Sequence, residues 1–243
     1  MKKDRSFWSA RYRSQVGWTG ELRRYALARC GLPKDVRLLD VGCGYGALLE
    51  ALSADGYTHL AGADIDLPSL SEIPGSNIRT CADGLNLPFA SGCFDACLCH
   101  FFLLWVADPL AALREMKRVA RPGGCLLALA EPDYGARVDE PPELKLLGEL
   151  QTQALQRQGA NPLIGARLPD LYRQAGLSII ESGILGQGVP DPAQEWQVLA
   201  ADLQGRLSQA ELDRWRELDV AAWKSGSRIL HVPVHYAIGK IPL

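Results

Sequence analysis

A strand-like segment that runs directly into a glycine-rich turn constrains this chain most. Residues 38–41 are apolar apart from Asp40, and Gly42, Gly44 and Gly46 follow before an apolar helical stretch begins at Ala47. Glycines let the backbone pass close beneath a ligand, and a helix N-terminus offers free N–H groups to an anion or a polar group. The segment therefore predicts a nucleotide-like ligand bound where the strand meets the helix.

Strand-like runs alternate with helix-like runs over residues 36–131, which is typical of βαβ units on a parallel sheet. The predicted strands are 36–41, 59–64, 77–82, 94–100 and 125–131. The clearest helix covers 109–120, where Leu110, Leu113 and Met116 recur at helical spacing and an Arg-Pro-Gly-Gly segment stops it. These elements predict an α/β fold.

The pattern changes beyond residue 131. Leucines over 144–155 indicate an amphipathic helix, and residues 193–224 are predicted to be helical in two pieces. A further helix is expected over 168–175 and strands over 177–185 and 228–238. The two late strands are predicted to pair antiparallel and complete the sheet.

Charge and cysteine content exclude several classes of function. The 243 residues carry 26 Lys and Arg against 28 Asp and Glu, a net charge of −2 that gives no basic field for nucleic acid. The seven cysteines are an odd set, so reduced thiols are expected, and the closely spaced Cys97 and Cys99 lack a second pair for a metal site. Neither a secretory signal nor an 18-residue apolar run is evident, so we expect a cytoplasmic protein without membrane insertion.

Three acids lie at the ends of successive predicted strands. Asp40 precedes the first glycine, Asp64 lies 22 residues after Gly42, and Asp83 is followed by Gly84. A carboxylate at the end of the second strand can accept both hydroxyls of a ribose. The loop also matches a dinucleotide fingerprint, but Asp40 would repel a pyrophosphate and attract a cationic amino-acid group.

These residues resemble the class I S-adenosylmethionine-dependent methyltransferases, and are most similar to the branch that includes ubiquinone and menaquinone methyltransferases. Five segments match in the expected order: 40–46, 62–65, 82–89, 94–96 and 118–124. The resemblance implies a Rossmann-like three-layer sandwich with a seven-stranded, mostly parallel sheet, an antiparallel last strand and helical lid segments. It also implies S-adenosyl-L-methionine as cofactor, with these binding candidates: Asp40, Gly42, Gly44, Gly46, Asp64, Ile65, Asp83 and Gly84.

Within that resemblance, the methionine part lies near Asp40 and Gly42, the ribose on Asp64, and the adenine near Ile65 and Asp83. A histidine pair that the family often shows is replaced by Leu104-Trp105, which leaves the acceptor open. Residues 1–243 are expected to form one methyltransferase domain. It divides into a helical arm, a cofactor-binding core, and acceptor-side helices with the final two strands: 1–30, 31–135 and 136–243.

Two residues are candidates for catalysis because His100 ends the fourth predicted strand and Tyr134 follows the fifth, at the edge where open α/β sheets bind ligands. His100 is either a general base or a pocket-lining contact, and Tyr134 either positions an acceptor or packs in a turn. In the arm, Tyr12, Gln15 and Trp18 either fold over the cofactor, with Arg13 facing its carboxylate, or form a solvated helix face. His231 and His235 lie four apart on the last predicted strand and are expected to be structural.

The leading hypothesis is methyl transfer to a small organic acceptor by in-line displacement at the sulfonium methyl. Because the sulfonium is a good leaving group, alignment and exclusion of water replace a dedicated nucleophile. A nicotinamide-dependent oxidoreductase and a non-catalytic S-adenosylmethionine-binding module are the alternatives. The sequence identifies neither the acceptor nor an oligomeric state.

Overall fold

A seven-stranded sheet organises the chain. The computed structural model describes residues 5–75, 78–186 and 191–243. The strand order is β3-β2-β1-β4-β5-β9-β7, and a separate two-stranded sheet joins β6 and β8. The strands are β1 Arg37–Val41, β2 His59–Asp64, β3 Ile78–Cys81, β4 Phe94–Cys99, β5 Ala120–Pro132, β6 Val138–Glu140, β7 Ser178–Ile184, β8 Ile229–His231 and β9 Val234–Lys240.

Strand directions agree with the prediction. The ladders among β3, β2, β1, β4 and β5 are parallel, and β9 lies antiparallel between β5 and β7. The five predicted core strands fall on β1 to β5, although Asn77, the expected start of the third, lies outside the described residues. The Rossmann-like fold expected from the sequence is confirmed.

Nine helices are described in those residues: α1 Arg5–Trp18, α2 Gly20–Arg29, α3 Ala47–Ala54, α4 Leu67–Ser71, α5 Pro109–Val119, α6 Lys145–Arg157, α7 Leu168–Gln174, α8 Pro192–Leu203 and α9 Gln209–Ser225. Helix α5 begins where expected, because Pro109 suits the first helical turn and the Asp108 carboxylate accepts the Ala111 N–H. Helix α9 begins with a capping box between Ser208 and Glu211.

The sheet is covered on both faces, which makes the three layers. Leu39 of β1 belongs to a buried cluster with Leu113 and Met116 of α5. Its neighbour Leu38 belongs to the cluster on the opposite face with Leu27 of α2 and Leu49 of α3. Adjacent strand residues point to opposite faces, so apolar residues at consecutive positions support a helical layer on each side.

The prediction of one last strand over 228–238 is wrong. The segment breaks before Val234 into β8, which pairs with β6, and β9, which pairs with β5 and β7. Pro233 stands at the break because proline lacks an N–H for a ladder, and its carbonyl accepts the Asp133 N–H instead. His231 and His235 therefore lie on two different strands and do not share a strand face.

None of the described helices has both the length and the apolar character needed to cross a bilayer.

Candidate active site

A cavity of about 1250 Å³ lies at the carboxyl edge of the parallel strands, where the ends of β1, β2, β4 and β5 meet. Residues of α1, α8 and α9 also line it. The cavity brings together nine of the ten site residues predicted from the sequence: Asp40, Gly42, Gly44, Asp64, Ile65, Asp83, Gly84, His100 and Tyr134. The tenth, Gly46, does not line the cavity.

The glycine-rich loop has two positions at which only glycine fits. Gly42 has a φ of +77°, and a Cβ there would lie 2.5 Å from the ring of Phe102. Gly46 has a φ of +79° at the start of α3, where a Cβ would lie 2.8 Å from Ile73. Both positive φ values are strained for other residues. Gly46 therefore shapes the turn on the side that packs against Ile73, away from the cavity, whereas Gly42 lines the cavity.

Asp64 organises this loop from the end of β2. One carboxylate oxygen accepts the Gly44 N–H at 2.7 Å, and the other accepts the Asp66 N–H at 2.8 Å. Asp66 rather than Asp64 occupies the position that precedes α4, and it accepts the Ser69 hydroxyl. Asp64 retains accepting capacity toward the cavity, because each carboxylate oxygen has two lone pairs.

Asp40 is the most unusual group in the cavity wall. It is buried at the end of β1, and neither carboxylate oxygen has a hydrogen-bond partner within the described residues. Burial, reinforced by the nearby Asp64 carboxylate, raises the pKa of Asp40 to about 8. Buried acids without partners are rare and costly, so this one indicates a ligand that brings a cation or a donor.

Asp83 and Gly84 follow β3. Asp83 is exposed, and its carboxylate accepts the Leu85 N–H at 2.9 Å in a local turn. A Cβ on Gly84 would lie 2.5 Å from the Phe102 ring, so this glycine admits the ring. The turn role of Asp83 and a ligand role are compatible, because the Leu85 N–H occupies only one carboxylate oxygen and Asp83 lines the cavity.

His100 lies just beyond β4, and its Nε2 is 3.1 Å from the Thr19 hydroxyl. Burial and the positive charge of Arg23 lower the pKa of His100 to about 3. The imidazole is therefore neutral and too weakly basic to suit general-base catalysis near neutral pH. Its position in the wall favours the pocket-lining alternative.

Tyr134 lies in a 3-10 turn after β5 and also lines the cavity. Burial raises the pKa of Tyr134 to about 12, with Asp202 and Glu195 adding to the shift and Arg137 and Arg11 opposing it. The phenol is therefore protonated at neutral pH. It can donate a hydrogen bond but cannot serve as a ready base.

The arm folds over the cavity, although not through the arginine that the sequence suggested. Tyr12 packs against Gly44, whose Cβ would lie 3.7 Å from its ring. Arg13 is exposed and pairs with Glu50 at 2.9 Å, outside the cavity. Its neighbour Arg11 lines the cavity, is buried, and pairs with Glu195 of α8 at 2.7 Å.

Sequence reasoning missed Arg11 because no motif marks it. The usable signal was helical spacing, since Trp8, Arg11, Tyr12 and Gln15 recur at intervals of three and four and all line the cavity. The late tryptophans have two roles. Trp196 and Trp223 line the cavity, and Trp196 and Trp215 pack against the buried cluster that includes residues of α6, α8 and α9.

A family model described as a methyltransferase domain matches residues 39–128, from β1 into β5. Residues 39–128 are thus similar to a methyltransferase domain. The resemblance found in the sequence is confirmed, and the matched region contains both Asp40 and Asp64.

Curated relatives match the same region. A demethylmenaquinone methyltransferase of Corynebacterium urealyticum is 39% identical over 115 residues, 47% of this chain and 47% of its own length. One from Roseiflexus sp. is 37% identical over 122 residues, 47% of this chain and 50% of its own. The chain thus spans about half the length of the curated relatives it matches.

Solved structures resemble the fold over more of the chain. The [4+2]-cyclase SpnF has a TM-score of 0.63 at 22% identity and covers 92% of this chain and 82% of its own. A geranyl diphosphate methyltransferase in complex with SAM has a TM-score of 0.57 at 14% identity, covering 91% and 84%. At these identities the likeness concerns the fold alone, and the same fold serves different chemistry.

The wall residues fit S-adenosylmethionine, the cofactor of the methyltransferase family. An amino-acid ammonium is the partner that the unpaired Asp40 carboxylate lacks. Asp64 offers acceptors at the position where a nucleoside ribose meets such a fold. Among the described residues, no group of three or more His, Cys, Asp or Glu could hold a metal ion.

Proposed function

We propose that this protein transfers a methyl group from S-adenosylmethionine to a small organic acceptor. The observation that carries the proposal is the buried, unpartnered carboxylate of Asp40 in the wall formed by the methyltransferase domain. A pyrophosphate-containing dinucleotide would leave that acid repelled and unpaired, whereas the methionine ammonium neutralises it.

Each cofactor part has a candidate partner. Asp40 and Gly42 hold the methionine end, Asp64 accepts from the ribose hydroxyls, and Ile65 and Asp83 flank the adenine. We propose that the arm 1–30 closes over this half and that residues 136–243 build the acceptor half of one domain. Tyr12 against the glycine loop supports the first assignment.

The bound cofactor supplies an activated methyl group on a sulfonium. The chain therefore needs to align the acceptor and exclude water, which are effects of positioning and desolvation. The wall beyond the β4 and β5 ends suits that task, because Tyr134 offers a neutral donor and Arg11 is already paired with Glu195. Neither Tyr134 nor Arg11 has to take up a proton to help align the acceptor.

The aromatic lining of the cavity favours an apolar, flat acceptor. It comes from α1, the turn after β4, α8 and α9: Phe7, Trp8, Trp105, Trp196 and Trp223. Aromatic side chains contribute large apolar contact areas and stack on planar rings. We therefore propose an aromatic or similarly planar acceptor that carries the atom to be methylated.

The test of this function is a comparison of cofactors by calorimetry. S-adenosylmethionine and S-adenosylhomocysteine are expected to bind and NAD is not, because Asp40 faces the ligand and repels a pyrophosphate. Strong chelators are expected to leave the binding unchanged. Tighter binding of NAD would contradict the proposal, and loss of S-adenosylhomocysteine binding on chelation would reveal a metal requirement.

Substitutions at the β4 and β5 ends test where the acceptor lies. Tyr134→Ala and His100→Ala are each expected to lower methyl transfer at least tenfold, about 1.4 kcal/mol of transition-state positioning, with little change in cofactor affinity. The measurement is S-adenosylhomocysteine formation with a panel of planar phenols and quinols, alongside calorimetry of cofactor binding.

A matched variant separates the hydroxyl of Tyr134 from its ring. Tyr134→Phe keeps the wall and removes the donor, so an intermediate loss indicates that the hydroxyl orients the acceptor. Full turnover in both alanine variants would place the acceptor elsewhere, among the tryptophans of α8 and α9. Parallel loss of cofactor binding in His100→Ala would make His100 a cofactor contact.

A further inference from the structure

The turn that follows β4, residues 100–105, is called here the β4 turn. It contributes five residues to the cavity wall: His100, Phe101, Phe102, Leu104 and Trp105. Phe101 has a φ of +51°, the one positive φ among the described residues other than glycine. Such a conformation is strained and persists only where surrounding contacts impose it.

A carboxylate on the neighbouring strand β5 holds the residues that follow Phe101. Glu131, fully buried near the end of β5, accepts the N–H groups of Phe102 and Leu103 on one oxygen at 2.9 and 2.8 Å. Its other oxygen accepts the Leu104 N–H at 3.1 Å. The Phe101 N–H donates to the Ala130 carbonyl at 2.8 Å. Four successive N–H groups of the turn are thus held by two residues of β5.

Through Phe102, the β4 turn also contacts the loops that follow β1 and β3. Its ring lies against Gly42 after β1 and Gly84 after β3, where a Cβ on either glycine would come within 2.5 Å of the ring. Both glycines are at the candidate cofactor positions. Displacing the β4 turn would therefore move the ring that adjoins both of them.

Only a carboxylate supplies acceptors on both side-chain oxygens for the three N–H groups of this turn. Three N–H donors need an acceptor on each side-chain oxygen, and a glutamine would place its NH₂ opposite the Leu104 N–H. Burial raises the pKa of Glu131 to about 7, while the three N–H bonds oppose that shift. Burying an acid costs free energy, so the acid at position 131 indicates a role in hydrogen bonding in addition to packing.

We propose that Glu131 is a positioning residue for methyl transfer, which holds the β4 turn so that Phe102 shapes the cofactor half of the cavity. The inference rests on the proposed function, because the ligand it concerns is S-adenosylmethionine. It assigns Glu131 no contact with that ligand and no proton transfer. Its effect passes through the backbone of residues 102–104 to the Phe102 ring.

The experiment is a double-mutant cycle on S-adenosylhomocysteine affinity at pH 8.5, where the Glu131 carboxyl is ionised. Glu131→Gln is expected to weaken binding at least tenfold in the wild-type background. In the Phe102→Ala background the same change is expected to weaken it less than threefold, because the ring through which it acts is gone. Glu181→Gln on β7, remote from the cavity, is the matched control and should leave affinity unchanged.

Amide hydrogen exchange distinguishes a local effect on the β4 turn from a general loss of folding. In Glu131→Gln, exchange should accelerate in peptides that cover residues 100–105 and stay slow across 126–130. Equal losses of affinity in both backgrounds, an unchanged affinity in Glu131→Gln, or faster exchange throughout the sheet would overturn the inference. Failure of the wild type to bind S-adenosylhomocysteine contradicts the proposed function itself, and the inference falls with it.

Discussion

Asp40→Asn is expected to stabilise the ligand-free protein and to weaken S-adenosylhomocysteine binding at least a hundredfold. Without ligand, folding above about pH 4 requires Asp40 to take up a proton, because its pKa is raised to about 8, and an amide avoids that cost. With ligand, it removes one member of a buried charge pair, a loss of about 3 kcal/mol or more. Opposite changes in stability and affinity from one substitution are the signature of an acid retained for binding.

The expected effect of Asp40 on stability depends on pH. The pKa of Asp40 is about 8 in the folded protein and near its ordinary 3.8 when unfolded, so the folded state binds the proton more tightly between those values. Wild-type stability should therefore fall as pH rises from about 4 to 8. Between pH 5 and pH 8 the fall is on the order of 4 kcal/mol. Urea unfolding at pH 5 and pH 8 should show this fall in the wild type and not in Asp40→Asn.

Ligand affinity depends on pH in the opposite direction. The ligand ammonium pairs with ionised Asp40, so binding below pH 8 should release a proton and affinity should rise up to about tenfold per pH unit. Calorimetry in buffers with different ionisation enthalpies measures the released proton directly. A wild-type affinity that is independent of pH from 6 to 8, or one retained in Asp40→Asn, would contradict the pairing.

Asp64→Asn is the second large expected effect, a loss of about 1.5 to 3 kcal/mol in S-adenosylhomocysteine binding. The wild-type carboxylate accepts the Gly44 and Asp66 N–H groups and, in the proposed complex, the ribose hydroxyls. An amide replaces one acceptor by a donor that opposes an N–H. Isothermal calorimetry measures the loss, and unchanged affinity would confine Asp64 to organising the loop.

Two controls separate the roles of Asp64. Asp66→Asn changes a neighbouring acid that does not line the cavity, so its affinity should remain within about threefold of the wild type. An analogue of S-adenosylhomocysteine that lacks both ribose hydroxyls should bind Asp64→Asn and wild type alike. A full loss with that analogue would assign the effect to the Gly44 loop instead of the ribose.

Local patterns in the sequence predicted the frame of the site. The loop after β1, the acid that ends β2, the acid after β3 and the start of α5 at Pro109 all lie where they were expected. Each depends on near neighbours in the chain: glycine conformation, strand alternation and capping. For the same reason, the ends of β4 and β5 were identified well enough to place His100 and Tyr134 in one cavity.

The tertiary structure decided what those residues meet. Periodicity alone left the rotation of α1 open, and packing turned Arg11 toward the cavity and Arg13 toward Glu50. Likewise, Pro233 marks a break within residues 228–238, but the sequence did not indicate that β8 pairs with β6, whose residues lie about 90 positions earlier.

The environment of the acids also arises only in the folded chain. The sequence by itself determined that Asp40 stands at a strand end before a glycine loop, which fixed the candidate ligand. Its burial without a partner, and the hold of Glu131 on the β4 turn, depend on strands brought together from distant segments. Desolvation and hydrogen bonding act over a few ångströms, so they become defined only when the sheet places those segments side by side.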